Sequence, residues 1–182
     1  MNVKPVESKR LSPAASDRPD GQACLQINGE LLEILISPGH DYWGREGAGR
    51  LQHGIQSVAS ATLLAGQGIE GDRYALKRPG HKAQVTFLDV AVVEAVRARF
   101  ALSRLPAGVF RRNLIVRGVD LAQLKGQRFR LQGVEFYGTQ ECRPCEWMDR
   151  VIASGAQDFL RAPFFGGLRA SVTVGGGLDV DA

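Results

Sequence analysis

The sequence predicts a mainly β domain with inserted helices, an α+β arrangement. Three observations carry this. Short apolar runs are repeatedly broken by Gly-containing turns, only two stretches show helical spacing, and no regular strand–helix alternation runs along the 182 residues. Many short strands of this kind build a barrel or a sandwich.

The elements follow in order. Residues 1–22 are rich in Lys, Ser, Pro and Asp without apolar periodicity and read as a flexible leader, leaving 23–182 as a single domain. Cys24 to Ile36 holds two apolar runs around Asn28-Gly29, a common hairpin dipeptide. Ser37 to Gln52 is a polar, Gly-rich loop, long enough to be functional or mobile. Ile55 to Leu64 alternates as a strand and runs into Ala65-Gly66-Gln67-Gly68. Gln84 to Phe87 is a short strand. Leu88 to Phe100 carries Val90, Val93 and Val96 at helical spacing, with Asp89 as its N-cap. Asn113–Val116, Arg128–Leu131 and Val134–Tyr137 read as strands, the last two joined by a tight turn at Gln132-Gly133. A second helix starts at Trp147, runs to Ile152 or on to Leu160, and Leu168–Val174 is the final strand.

Composition narrows the class. A hydrophobic content of 44% supports one sizeable core. The net charge of +4 comes from arginine, which suits bidentate binding of phosphate or carboxylate, and no polybasic tail points to nucleic acid. No apolar run of the roughly 18 residues that crosses a bilayer is present, and no signal peptide is visible, so no membrane partner and a cytoplasmic location with reduced thiols are expected. Three cysteines are too few for a disulfide framework, and His40, His53 and His81 are too scattered for a local zinc motif.

The most informative stretch is Cys142-Arg143-Pro144-Cys145. A thiolate is both a nucleophile and a soft-metal ligand. The pair permits a redox dithiol, a structural zinc site, one thiolate on a metal or metal cofactor with the other sulfur spare, or two plain packed residues. Zinc would need a second ligand pair, and the sequence has none. Asp72-Arg73 sits in a Gly-punctuated turn where the carboxylate could orient the guanidinium toward an anion, or form only a surface pair. Arg111-Arg112-Asn113 opens a strand and could grip phosphate and ring heteroatoms, or be a solvated edge. Arg169 follows Gly166-Gly167 and presents the same choice. Tyr42-Trp43-Gly44-Arg45 could be a lid or packing, and His40 and His81 read as ordinary loop histidines.

Taken in order, these pieces resemble the MOSC domain, named for the C-terminal domain of molybdenum cofactor sulfurase. The matching elements are Ile-Ser-Pro-Gly-His-Asp-Tyr-Trp-Gly (36–44), Gly-Ile-Glu-Gly-Asp-Arg-Tyr (68–74) and Gln84-Val85-Thr86-Phe87 before a helix. Arg-Arg-Asn-Leu-Ile-Val (111–116), Glu-Cys-Arg-Pro-Cys (141–145) and Gly-Gly-Leu-Arg (166–169) complete the series. The resemblance spans roughly residues 30–180. It implies a MOSC-type β-barrel with a cleft for the molybdenum cofactor (molybdopterin). Cys145 would be the metal ligand and catalytic sulfur, and Cys142 is not required. Arg111 and Asn113 would hold the pterin together with Arg73 and Arg169, with Asp72 orienting Arg73. The implied activity is that of a small molybdoenzyme, an oxidoreductase on N-hydroxylated or similar small molecules, served by a separate electron-donor protein. The chain lacks the pyridoxal-dependent sulfurase domain, so a sulfur (persulfide) or cofactor carrier fed by a sulfur donor stands as one alternative, and the Cys-x-x-Cys pair itself leaves a second, a dithiol oxidoreductase. No Schiff-base lysine in a phosphate-binding context is visible, so pyridoxal phosphate is not expected.

Overall fold

The computed structural model describes residues 12–14, 23–41, 49–75 and 80–182. Twelve strands form two sheets. The larger runs in the order β1 (Ser12–Ala14), β2 (Cys24–Gln26), β9 (Arg128–Leu131), β10 (Val134–Glu141), β11 (Leu168–Val174), β7 (Val85–Asp89), β8 (Leu114–Arg117), β3 (Glu30–Ile36), β4 (Gln56–Val58). The smaller places β5 (Ser60–Leu64) between β12 (Gly176–Asp179) and β6 (Gly68–Ile69). Two pairings, β2 with β9 and β7 with β8, are parallel, and the other strand pairings are antiparallel.

The expected closed barrel is replaced by a sheet whose hydrogen-bonded order has two ends, β1 and β4. It is nevertheless strongly curled. Phe129 on β9 and Phe87 on β7 are three strands apart in that order, at least about 14 Å across a flat sheet. Their ring centroids are 5.4 Å apart, and both rings meet Phe136 of β10 at 5.3 and 5.2 Å. Curling turns these side chains inward, where the small sheet adds Leu63, Ile69 and Leu178 to the same core. The outer face, with Leu35, Leu88 and Ile115, is covered by α1 (Val90–Phe100), by a 3-10 turn over Ala107–Phe110, and by α2 (Trp147–Val151) and α3 (Ala156–Phe159). Among the described residues no helix is long and apolar enough to cross a membrane.

Most local expectations hold. Asp89 caps α1, its carboxylate accepting from the Ala91 N–H at 2.9 Å. Gln132 (φ 47) and Gly133 (φ 85) form the two-residue turn between β9 and β10, both left-handed as a primed hairpin turn requires. Four readings change. Leu168–Val174 is not the final strand, because β12 follows it and pairs with the edge of β5. Asn28-Gly29 does not make a hairpin, because β2 pairs with β9 while β3 pairs with β8 and β4. Ile55–Leu64 is two strands in different sheets. The helix from Trp147 divides in two, with Gly155 (φ 86) at the N-terminus of α3. The proposed leader falls mostly outside the described residues, but Ser12–Ala14 pairs with β2.

The curl makes a testable energetic claim. Phe129→Ala should cost about 3–5 kcal/mol as a buried large-to-small change. In a double-mutant cycle with Phe87→Leu, denaturation should show a coupling of about 0.5–1.5 kcal/mol, because the rings touch. Additivity would mean that strands this far apart in order do not meet.

Candidate functional site

Where β3 ends, residues 37–41 turn back over the sheet and are held by buried ionic groups. The Ser37 N–H donates to Asp72 Oδ2 (3.0 Å), and Ser37 O accepts from the Arg73 N–H (2.8 Å). Asp72 also takes the Tyr74 N–H on Oδ1 at 3.0 Å and Arg73 Nη1 on Oδ2 at 3.3 Å. Arg73 Nη2 reaches Arg111 O at 2.9 Å, and its guanidinium lies 4.7 Å from the Tyr74 ring centroid. Arg111 donates to Ser37 Oγ, to Gly39 O and to Asp41 Oδ2, the last at 3.1 Å. Asp41 in turn accepts the His53 N–H at 2.8 Å. Asp41, Asp72 and Arg73 are buried, so each charge needs these partners. Burial, followed by the like charge of Arg73, lowers the Arg111 pKa from its ordinary value, with Asp41 opposing. Arg111 also sits at φ 53, an uncommon conformation for a side-chain-bearing residue. Arg73 Nε is buried with no hydrogen-bond partner among the described residues.

Asn113 forms a second tie. Its Oδ1 accepts from the Thr86 N–H (3.1 Å) and Thr86 Oγ1 (2.8 Å), and its Nδ2 donates to Leu35 O (3.1 Å). The residue is fully buried and joins β7, β8 and β3. Across the sheet Thr86 faces Arg169 of β11 in register. Arg169 is half-buried, and its guanidinium has no hydrogen-bond or ion-pair partner among the described residues.

The two cysteines of the motif differ. Cys142 is buried, and its N–H donates to Gly167 O at 2.8 Å. A Cβ on Gly166 would fall 1.7 Å from Cys142 O, and one on Gly167 (φ 91) 2.1 Å from Phe87 O, so this glycine pair lets the 162–167 loop lie flat on the motif. Arg112 fastens that loop to the 3-10 turn, with Nε on Gly166 O (2.7 Å) and Nη1 on Phe110 O (2.8 Å). Cys145 is exposed, and none of the described cysteines is in a disulfide. Among the described residues no cluster of three His, Cys, Asp or Glu side chains could hold a metal ion. A soft metal would therefore meet a single thiolate here.

Two residues beyond Cys145, Trp147 lines a cleft of about 830 Å³ between β3, the 50–55 loop, the 3-10 turn and α2. Arg111 and Asp41 form part of its wall.

The structure thus brings Asp72, Arg73 and Arg111 into direct contact, links Asn113 to Arg169 through Thr86, and leaves Cys145 without a hydrogen bond to any of them. His40 and His81 flank Tyr74, with centroids 5.1 and 6.2 Å away, and His81 Nδ1 accepts the Ala83 N–H. The aromatic loop Tyr42-Trp43-Gly44-Arg45 lies outside the described residues. Sequence reasoning missed Ser37, Asp41 and Thr86. Thr86 had a signal, a lone hydroxyl inside an apolar strand.

The chain is thus a mainly β domain that holds Arg73, Arg111 and Arg112 in internal hydrogen bonds and exposes one of its described thiols, that of Cys145. The family model described as the MOSC domain matches residues 73–181, and the chain belongs to that family. The elements at 36–44 and 68–72 lie before the matched residues. Among solved structures, the chain is similar to the YuaD protein of Bacillus subtilis (TM-score 0.64, 16% identity, covering 84% of this chain and 91% of that one). It is also similar to YiiM of Geobacillus stearothermophilus (0.62, 14%, 84% and 71%) and to YiiM of Escherichia coli (0.55, 19%, 80% and 66%). At these identities the likeness is one of fold. No curated protein matches the chain.

Replacing Asn113 by Leu would strip partners from the Thr86 N–H, the Thr86 hydroxyl and Leu35 O at once. The expected cost is at least about 3 kcal/mol in a urea titration, from about 1–3 kcal/mol per unsatisfied buried group. Thr86→Val should cost less, about 1–2 kcal/mol.

Proposed function

We propose that this MOSC-domain protein binds the molybdenum cofactor through the thiolate of Cys145 and acts as a small oxidoreductase on N-hydroxylated or similar small molecules. The observation that carries the reading is the contrast between the two motif cysteines: Cys145 is the exposed sulfur and Cys142 is locked beneath the 162–167 loop. The donor set fits the group. One accessible soft ligand suits molybdenum, and the unpartnered Arg169 guanidinium suits an anionic phosphate. The buried, unpaired Arg73 Nε would gain an acceptor from a bound pterin.

In this reading Cys145 is the metal ligand and Arg169 the direct anion contact. Asp72 holds Arg73 in place, while Arg111 and Asn113 act as positioning residues, because most of their hydrogen bonds are already committed inside the chain. When bound, the cofactor would supply two-electron redox chemistry at molybdenum. The three cysteines are too few for an all-thiolate iron–sulfur cluster, so reducing equivalents would come from a separate donor protein. The exposed Cys145 thiol that this reading needs would be kept reduced in a compartment such as the cytoplasm.

The test is metal analysis of protein made in a host that synthesises the cofactor. Near-stoichiometric molybdenum is expected in the parent and in Cys142→Ser, and none in Cys145→Ala. Equal molybdenum in Cys145→Ala would overturn the assignment. Equal losses in the two cysteine variants would point to a dithiol instead, and a sulfane sulfur trapped on Cys145 without molybdenum would make the chain a sulfur carrier.

A further inference from the structure

The cleft beside Trp147 carries charges that the cofactor reading does not use. Five charged side chains line it. Arg111 and Asp41 neutralise each other at 3.1 Å, and Arg150 pairs with Glu146 at 3.7 Å. Two remain. Glu33 stands half-buried on the β3 floor, and its carboxylate has neither a hydrogen bond nor an ion pair among the described residues. Arg50 stands on the rim with its guanidinium carbon 5.6 Å from the Trp147 ring centroid, and it has no carboxylate partner among the described residues.

A half-buried carboxylate without a donor is costly unless something else supplies one. A guanidinium resting on an aromatic face keeps its in-plane N–H groups free for an anion. Between floor and rim the apolar part of the wall is Ile55, Val109 and Val151, which come from three separate elements and are each partly exposed, while the mutually neutralised Arg111 and Asp41 form part of the polar remainder. The volume of about 830 Å³ lies within the roughly 300–1,000 Å³ of small-molecule sites.

We infer that this cleft is a binding site for a small amphipathic zwitterion. Its ammonium or other N–H donor end meets Glu33 on the floor, its apolar body of about ring size lies along Ile55, Val109 and Val151, and its carboxylate or other anionic end meets Arg50 at the rim. Recognition at both ends explains why one carboxylate and one guanidinium are left unpaired in a cleft whose other charges are paired. The site goes beyond the cofactor reading and does not use Cys145, which is not among the lining residues.

The test uses the full chain carrying Trp43→Phe, which leaves Trp147 as its only tryptophan. Titration with 4-(aminomethyl)benzoate should change Trp147 fluorescence saturably. Glu33→Gln and Arg50→Gln should each weaken binding about tenfold or more, the size expected for losing a charge-assisted hydrogen bond. Benzoate should depend on Arg50 alone and benzylamine on Glu33 alone. Cys145→Ala should leave the affinity within about twofold, since the thiol lies outside the lining. The inference is overturned by the absence of a saturable change, by either charge variant binding like the parent, or by loss of binding in Cys145→Ala. Circular dichroism of each variant shows that it is folded, and Glu33→Gln preserves the shape of the one half-buried group substituted.

Discussion

Residues 27–29 join strands that stand second and eighth in a nine-stranded order, and the architecture follows from that short link. Four residue steps reach at most about 14 Å, so the sheet must roll until β2 and β3 nearly meet at this link, although the strands at its two ends, β1 and β4, are not paired with each other across the seam. Rolling creates an inside, filled by Phe87, Phe129 and Phe136, and an outside broad enough for three short helices. It also brings the end of β3 against the 70–74 turn and the 3-10 turn, which is where the buried ion pairs form.

Those ion pairs divide the polar residues into two groups. Asp41, Asp72, Arg73, Arg111 and Asn113 are bound to one another or to the backbone; the first four hold the turn over residues 37–41, and Asn113 ties β7 and β3 together at the start of β8. Buried charges cost stability unless fully paired, so such a network fixes geometry more than it adds free energy. Arg169 and Cys145, together with Glu33 and Arg50 in the cleft, remain uncommitted by the fold. Groups of the second kind are the ones a ligand can use.

Features that depend on neighbouring residues could be read from the sequence. The Asp89 cap, the Gln132-Gly133 turn and the β11 strand arise within a few residues, and each was legible in its propensity or turn chemistry. The β2–β3 hairpin failed for the complementary reason: Asn28-Gly29 has the local chemistry of a turn, but pairing with β9 and β8 overrides it. β12 begins Gly176-Gly177, a pair that carries no strand signal, and it exists because β5 offers an edge. At the site, the order of the motifs located the arginines and cysteines. Which of them are free could not be read, because the partners of Arg111 and Asn113 lie about 70 to 80 residues away in sequence. The unequal burial of Cys142 and Cys145 likewise depends on a loop some twenty residues later.

The seam also governs how the molecule can assemble. β2 finds its partner β9 about a hundred residues downstream, and β3 finds β8 about eighty residues downstream. A chain emerging from the ribosome can therefore pair β2 only with β1, and β3 only with β4, until most of the domain has been made, so the sheet cannot zip up in the order of synthesis. The β9–β10 hairpin, closed by its own two-residue turn, needs no distant partner to pair and offers β2 its second neighbour.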